Sequence, residues 1–457
     1  MQILSEEYEL ITLWVRIVPQ RGEAAVSVRL EATVEGQRQT LLDLAPIPAG
    51  EFGLPTGGEA LAYAQPRVAP SLVTELSAWC AAKNPEGRPL WIALIPPCGH
   101  LGVIPWEVDL VPAMDVPVLR LPGFLEPRRE TRSALDVAVI CSVPHGVSKA
   151  PIRAPELDRV LRALLTSSPS RRILIHVFCD ASTASSISGD LRTSIQVHEE
   201  YTRPPDSRLP GKDSNPWFEW VTAAMDGQAL DAVHFIAHGV IGSSGGMLAL
   251  AVVPGGDEPG GVYANANQIS DFLTQHGAWS AGFHVPAERE SEIGLRSLAD
   301  AIGRMWPGSV IYHDAVLDPG ALEPATRLVY GSDTSPAPKS PSLFMYVQPR
   351  QVESMSGGHA EPEGMRATAG RDVEWDDLPP AYLDLFAREN LPLYVAQNER
   401  IADQVKVFLG RGDANSDEPT LPPEVSQAVS KAMATLHSFV ANYAVESEAR
   451  SEKGAGQ

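Results

Sequence analysis

A histidine followed by glycine, His238-Gly239, lies just beyond the short apolar segment 232–236. An imidazole changes its charge near neutral pH, so it can act as a general base or activate a nucleophile. The carboxyl end of a buried parallel strand is also where α/β sheets present ligands and catalytic groups. Glycine at the next position permits backbone angles that other residues resist and leaves space beside the ring. The segment therefore indicates a catalytic or binding position, while a histidine in a solvent-exposed turn would give the same spacing.

Four cysteines are the candidate thiol nucleophiles, and all of them precede His238: Cys80, Cys98, Cys141 and Cys179. None has CxxC spacing, so the pattern predicts neither a disulfide framework nor a zinc site. Cys141 and Cys179 each follow a predicted strand directly, which would bring both to the carboxyl edge of the sheet. A thiolate activated by histidine is a strong nucleophile, whereas free cysteine is more often a small buried apolar residue. Both interpretations of Cys141 stay open at this point.

The other familiar catalytic and metal-binding motifs are absent from the sequence. It contains no GxxxxGK[ST] loop, no HExxH, no EF-hand loop and no GxGxxG after a strand. The segment 242–246 formally matches GxSxG with Ser244 at its centre, but a β-like run follows where a nucleophile elbow needs a helix. A hairpin or loop tip is therefore predicted there. His234 and His238 are four residues apart, yet only a helix would place them on one face, so neither a metal nor a cofactor is expected.

The composition is that of an acidic globular protein. The chain has 457 residues, of which 44% are hydrophobic, and 36 basic and 57 acidic residues give a net charge of −21. This acidity argues against non-specific nucleic-acid binding, which needs clustered cations, and against adsorption to anionic lipids. The sequence has no apolar run of about 18 residues or more, and residues 1–10 do not resemble a secretory signal. We therefore expect a cytoplasmic protein that binds neither nucleic acid nor membrane.

Apolar runs of strand length alternate with helical patterns from about residue 131 onward. The runs are 135–140, 173–178, 232–236, 278–283, 309–313 and 343–347, and the helical patterns between and after them are 155–166, 215–225 and 295–305. This alternation is typical of a parallel sheet that helices cover on both faces. Residues 8–34 instead alternate apolar and polar side chains with period two, which predicts antiparallel strands. A further helix is predicted over 71–83.

The same patterns predict four regions along the chain. They are a β-rich N-terminal region over 1–130, an α/β domain over 131–350, a linker over 351–371 and an acidic helical segment over 372–457. Segment 351–457 holds 9 basic and 18 acidic residues, so its net charge is −9. Serine, proline, glycine and glutamate dominate the predicted linker, as is common between domains.

The segment 234–239, which reads His-Phe-x-x-His-Gly, resembles the histidine motif of the CHAT family in the caspase and separase clan of peptidases. Three further stretches are similar to elements of that family. They are Ile-Pro-Trp-Glu within 101–107, Val-Pro-Val-Leu-Arg-Leu-Pro within 115–124, and the helix-like segment 292–300. The resemblance covers roughly residues 85–350. It implies a caspase-like, mostly parallel sheet flanked by helices, with His238 at the end of the third core strand and a cysteine nucleophile at the end of the fourth.

The sequence departs from the family pattern where that nucleophile is expected. The segment 278–286 ends in His284-Val285-Pro286, and no cysteine follows His238. Ser280 offers a hydroxyl, but it lies near the middle of the predicted strand. The resemblance therefore implies a pseudopeptidase in which Gly239 and His284 line a binding groove beside His238.

Three functions follow as hypotheses. The first is a catalytically impaired CHAT-like protein that binds a protein or peptide partner, by family analogy in a bacterial signalling or defence system. The second is an active peptidase in which His238 activates a displaced nucleophile such as Cys141. The third is a scaffold role for the acidic C-terminal helices, although apolar stripes like theirs are more typical of an intramolecular core than of a partner-binding surface.

Overall fold

The computed structural model describes residues 8–352 with short internal gaps. The gaps are 21–22, 35–36, 56–60, 62–63, 85, 97, 125–132, 145–153, 169–170, 200, 202–214, 243–244, 255–259, 286–291, 315–317 and 332–333. The predicted acidic segment 372–457 and all but the first two residues of the predicted linker 351–371 lie outside the described residues.

The apolar runs of the sequence form strands, because successive side chains of a strand point to opposite faces of the sheet and both faces are covered. In chain order the described strands are β1 (Ile11–Gln20), β2 (Glu23–Val34), β3 (Gln37–Asp43), β4 (Ile47–Pro48), β5 (Leu90–Leu94), β6 (Val118–Arg120), β7 (Ala134–Cys141), β8 (Arg172–Phe178), β9 (Ile195–His198), β10 (Ala232–Ile236), β11 (His238–Gly242), β12 (Gly245–Ala251), β13 (Gly261–Asn265), β14 (Ser280–Val285), β15 (Ser309–Asp314) and β16 (Leu343–Tyr346).

The helices connect these strands and bury their apolar sides against the sheet. The described α-helices are α1 (Pro70–Lys83), α2 (Trp106–Met114), α3 (Ala154–Thr166), α4 (Ala181–Ser186), α5 (Gly189–Arg192), α6 (Pro216–Met225), α7 (Ala266–Gln275), α8 (Glu292–Met305) and α9 (Leu322–Tyr330). Short 3-10 helices cover Ala49–Phe52, Leu101–Val103 and Pro349–Gln351. Of the helices in the described ranges, none combines the length and the apolar character needed to cross a bilayer.

The α/β part is built on strands in the spatial order β9-β8-β7-β10-β14-β15-β16, in which β16 alone runs antiparallel to its neighbour. The first apolar run, β7, therefore lies beside the third, β10. Helices α3 and α9 pack on one face of this sheet, and α6, α7 and α8 pack on the other. The predicted α/β fold, with a large and mostly parallel sheet flanked by helices, is confirmed.

The N-terminal strands continue the same sheet. β1 and β2 pair antiparallel from Ile11 opposite Ala32 onward, as the period-two alternation predicts. β5 runs parallel to β1 and β6 parallel to β5, and Arg120 of β6 pairs with Tyr346 of β16. Thirteen of the described strands thus belong to one sheet, which crosses the boundary predicted at residue 130.

A second, small sheet follows β10 and consists of β11, β12 and β13 in antiparallel order. β11 ends at Gly242, which pairs with Gly245 at the start of β12, so the two strands form a tight hairpin. The hairpin predicted at the GxSxG match is confirmed, while Ser244 itself lies outside the described residues. Leu248 and Leu250 of β12 join the apolar cluster that contains α8.

Candidate functional site

His238 lies where the chain leaves the main sheet. β10 ends at Ile236, and His238 begins β11, where it pairs with Ala249 of β12. Only 6% of His238 is exposed. The histidine therefore lies beyond the carboxyl end of β10, at the first position of the small sheet.

Gly239 packs directly against helix α8. A Cβ atom at Gly239 would lie 2.1 Å from the backbone nitrogen of Leu295, and one at Gly294 would lie 2.5 Å from the backbone nitrogen of Val240. A Cβ atom at Gly246 of β12 would lie 2.2 Å from the carbonyl oxygen of Gly294. The three glycines thus allow the hairpin and the helix to approach backbone to backbone. The place beside Gly239, predicted as part of a groove, is filled by α8.

His284 lies within a buried chain of polar side chains on one face of the main sheet. Its Nε2 is hydrogen-bonded to His234 Nδ1 over 2.8 Å, and His234 Nε2 to the hydroxyl of Tyr330 over 2.7 Å. That hydroxyl is also 2.9 Å from Ser280 Oγ. Because α9 contributes Tyr330, the chain joins two neighbouring strands to the helix that covers them. The imidazole of His284 is therefore hydrogen-bonded to another buried side chain of the sheet, His234, and does not line an open groove.

Burial keeps the imidazoles of His234, His284 and the neighbouring His313 neutral. Burial lowers the pKa of His234 to about 3. Burial and the neighbouring His234 and His313 hold the pKa of His284 well below its usual value. Burial also lowers the pKa of His313, which stands edge-on to His284 and donates from Nε2 to the carbonyl oxygen of Asp318. A neutral imidazole can donate one hydrogen bond and accept another. These three imidazoles on adjacent strands therefore provide no stable positive charge for a substrate.

The candidate nucleophile Cys141 ends β7 and is fully buried. It pairs with Ile236 of β10, two residues before His238. Burial raises the pKa of the Cys141 thiol well above its usual value, and Cys179 and Asp180 raise it further. A cysteine nucleophile needs the opposite shift, because the thiolate is the reactive form. Ser280 is equally buried, and its hydroxyl lies beside that of Tyr330.

A buried ion cluster brings together three of the four stretches that carry the family resemblance. Arg120 Nε donates to Glu107 Oε1 over 2.8 Å, and Arg120 Nη1 donates to Asp300 Oδ1 over 2.6 Å. Arg296 Nη1 donates to Glu107 Oε2 over 3.1 Å. All four side chains are at most 2% exposed. The elements β6, α2 and α8 therefore meet at charged groups.

Arg120 keeps its positive charge despite its burial. Burial by itself lowers the pKa of Arg120, but Glu107 and Asp300 outweigh it and raise that pKa above its usual value. The guanidinium also lies 3.9 Å above the ring of Phe344, in cation–π contact. The sequence carried one signal for this cluster, since an arginine inside an apolar strand must find a carboxylate when it is buried. No sequence pattern identified the partners.

A cavity of about 450 Å³ opens between α3 and the start of α9. Arg159 and Arg162 line it from α3, and Leu322 and Glu323 line it from α9. None of His238, Gly239 and His284 belongs to its walls, so this cavity is separate from the predicted groove. In the part of the chain that the structure describes, no three His, Cys, Asp or Glu side chains come together to hold a metal ion.

Comparison with protein-family models and with curated proteins gives no match for this sequence.

Proposed function

We propose that this chain is a CHAT-like, caspase-clan pseudopeptidase that acts by binding a protein or peptide. The observation that carries the proposal is the end of β14. The resemblance implies a nucleophile there, but the strand ends in His284-Val285, and the His284 imidazole is bonded to His234 inside the sheet. No cysteine follows His238 in the sequence. The histidine motif is thus retained while the thiol that it would activate is missing.

Two further observations support kinship with that family. The third and fourth core strands, β10 and β14, are parallel neighbours, so their carboxyl ends lie at one edge of the sheet, as a histidine and a nucleophile at those ends would require. Three of the four stretches that resemble family elements also meet in one buried ion cluster, through Glu107, Arg120 and Asp300. Their contact supports the proposal, because the stretches that resemble the family then belong to one connected part of the structure.

We further propose a protein partner and a cytoplasmic location, in a bacterial signalling or defence system. The net charge of −21 favours a protein or peptide over nucleic acid and anionic membranes. The cellular context rests on family analogy alone.

The test exposes the full-length protein to a proteome-derived peptide library and analyses both retained and cleaved peptides by mass spectrometry. We expect retained peptides without new cleavage sites, and loss of retention in His238→Ala. The matched control is His276→Ala, since His276 is another buried histidine, at the end of α7. Cleavage that disappears in His238→Ala but persists in the control would overturn the pseudopeptidase, and absence of any retained peptide would overturn peptide binding.

An active peptidase is the second candidate, and one observation favours it. Cys141 lies on β7, the strand beside β10, where it is opposite Ile236. Ile236 precedes His238 by only two positions. This function predicts that Cys141→Ser abolishes peptide cleavage while Cys179→Ser does not. The two variants are matched, because both cysteines are fully buried at the ends of neighbouring strands. Equal behaviour of the two variants would remove Cys141 as the nucleophile.

A further inference from the structure

Cys141 and Cys179 lie side by side at the carboxyl edge of the main sheet. The parallel register of β7 and β8 pairs Ile140 with Phe178, so the next position brings Cys141 opposite Cys179. Both belong to one apolar cluster, beneath α3, and both are 0% exposed. Their side chains therefore project from the same face of the sheet.

The spacing of neighbouring strands suits a disulfide. Adjacent strands are about 4.8 Å apart, and disulfides join residues whose Cα atoms are about 4.4–6.8 Å apart. The two thiols also interact electrostatically, because Cys179 raises the pKa of Cys141. The other two cysteines, Cys80 and Cys98, belong to a different apolar cluster, around the N-terminal strands.

We propose that Cys141 and Cys179 are a redox-sensitive dithiol that closes to a reversible disulfide when a peroxide reaches the folded protein. This inference is independent of the proposed function, since it concerns the two thiols alone. It assigns a modification site to the strand ends that precede α3 and α4. In a reducing cytoplasm the dithiol is the resting form, and the disulfide is the transient one.

The reaction with hydrogen peroxide balances in two steps. In the first, a thiolate attacks one peroxide oxygen, the O–O bond breaks, and a sulfenic acid forms with release of hydroxide. In the second, the other sulfur attacks the sulfenic sulfur, the S–OH bond breaks, and the S–S bond forms. The two thiols lose two electrons and two protons, and the peroxide is reduced to two water molecules. Peroxide is close to water in size, which suits a reaction at buried sulfur atoms.

The surroundings indicate which cysteine reacts first. Burial, Asp180 and Glu199 raise the pKa of Cys179 to about 12, but Arg192 acts in the opposite direction. The neighbours of Cys141 all raise its pKa. This difference favours Cys179 as the thiol that forms the sulfenic acid and Cys141 as the thiol that resolves it. Since both thiols are protonated at neutral pH, the reaction is slow there and accelerates as the pH rises.

The experiment oxidises the folded, full-length protein with hydrogen peroxide and then denatures it in excess N-ethylmaleimide. Non-reducing peptide mapping by mass spectrometry should find the Cys141 peptide joined to the Cys179 peptide, with Cys80 and Cys98 alkylated. Dithiothreitol should separate the pair. Recovery of both Cys141 and Cys179 as alkylated thiols, or a link from Cys141 to another cysteine, would overturn the proposal. This measurement needs no variant, so it decides the matter even if substitutions unfold the protein.

Variants and pH add two readouts that adventitious oxidation would not produce. In Cys141→Ala the sulfenic acid at Cys179 has no resolving thiol, so dimedone present during denaturation should label Cys179, while Cys80→Ala should retain the disulfide. The initial rate of disulfide formation should rise about tenfold per pH unit between pH 7 and 9, because the thiolate fraction rises tenfold per unit below the pKa. A rate that levels off near pH 8.5, as for a thiol in the unfolded chain, would show that only unfolded protein reacts and would overturn the proposal.

Discussion

Arg120 Nη1 donates a hydrogen bond to Asp300 Oδ1 over 2.6 Å, although 180 positions separate the two residues in the chain. Arg120 belongs to the N-terminal strands, and Asp300 lies on α8, the helix that packs against the hairpin of His238. Tyr346 also donates its hydroxyl hydrogen to Asp300 Oδ1, over 2.7 Å. Buried charges of this kind depend on their partners, since water does not reach them.

Replacing Asp300 by asparagine should destabilise the fold strongly. The substitution keeps the size of the side chain but removes the charge that balances Arg120 and Arg304. Breaking one partner of a buried ion pair costs about 3–5 kcal/mol in the free energy of unfolding. Urea denaturation of Asp300→Asn against the wild type measures this cost.

The control for that prediction is Glu323→Gln. Glu323 forms an ion pair with Arg327 at the surface, where both side chains are about half exposed, so its loss should change stability by at most about 1 kcal/mol. Similar effects of Asp300→Asn and Glu323→Gln would contradict a structural role for the buried cluster.

Adding a methyl group at Gly239 should force the hairpin away from α8. The new Cβ atom would lie 2.1 Å from the backbone nitrogen of Leu295, which is fixed within a helix and cannot turn aside. We expect Gly239→Ala to lose about 1–3 kcal/mol, the usual cost of overpacking. Gly189→Ala is the matched control, because a Cβ atom there meets nothing within 4 Å. If Gly239→Ala proves as stable as the wild type in denaturation experiments, the hairpin does not pack on α8.

Removing the hydroxyl of Tyr330 should destabilise the protein through two buried groups at once. The hydroxyl lies within hydrogen-bonding distance of both His234 Nε2 and Ser280 Oγ. Loss of a buried partner costs about 1–3 kcal/mol, so Tyr330→Phe should lower the free energy of unfolding by that amount. Tyr263→Phe removes a hydroxyl from a residue that is 47% exposed and should have little effect. If both variants unfold at the same urea concentration as the wild type, the hydrogen-bonded chain contributes nothing.

The stability of the fold should fall as the pH drops below about 6.5. Above that value an imidazole is neutral in both the folded and the unfolded chain. Below it the unfolded chain takes up protons, whereas His234, with its pKa near 3, and His284 remain neutral in the folded protein. Each such imidazole should lower the free energy of unfolding by about 1.4 kcal/mol for every unit that the pH falls, until the pH reaches the pKa of that imidazole in the folded protein. Urea denaturation at pH 7, 6 and 5 measures the slope.

A variant separates this effect from that of buried carboxylates. His284→Gln should reduce the slope between pH 6 and 5 by about 1.4 kcal/mol per pH unit, because one titrating group is removed. Asp300 affects the pH dependence of stability only below this range, because the pKa of its carboxyl group is 3.8 in the unfolded chain and lower in the folded protein. An unchanged slope in His284→Gln would show that His284 takes up a proton in the folded state.

Much of the α/β fold was predictable because its signals are local. Runs such as 173–178 and 309–313 consist mainly of apolar residues, and strands β8 and β15 appear there. The helix predicted over 71–83 is α1, which differs by one residue at its start. Burial on both faces produces such runs, so the sequence identified the sheet without any knowledge of pairing.

Some elements escaped prediction because tertiary contacts outweigh local preference. Helix α2 contains Pro112 in its interior, which argues against a helix, yet the burial of Trp106, Leu110 and Met114 holds the segment in helical form. In α9, Pro324 lies in the first turn, where a missing N–H costs nothing.

The site was the least predictable part of the molecule. The position of His238 beyond a strand followed from its apolar neighbours, whereas the contact of Gly239 with α8 depends on how a hairpin and a distant helix pack. The bond between His234 and His284 likewise depends on which strands are neighbours. Partners that lie far apart in sequence leave no mark on the spacing of either one.

The seam between β6 and β16, where Arg120 pairs with Tyr346, also affects how the protein is made. A ribosome completes the N-terminal strands long before it reaches β16, so β6 must wait with an unpaired edge while the α/β part is synthesised. Exposed edges of this kind invite pairing with other chains, and long-range contacts are slow to form. The nascent chain is therefore most prone to aggregate after β6 has emerged and before β16 arrives.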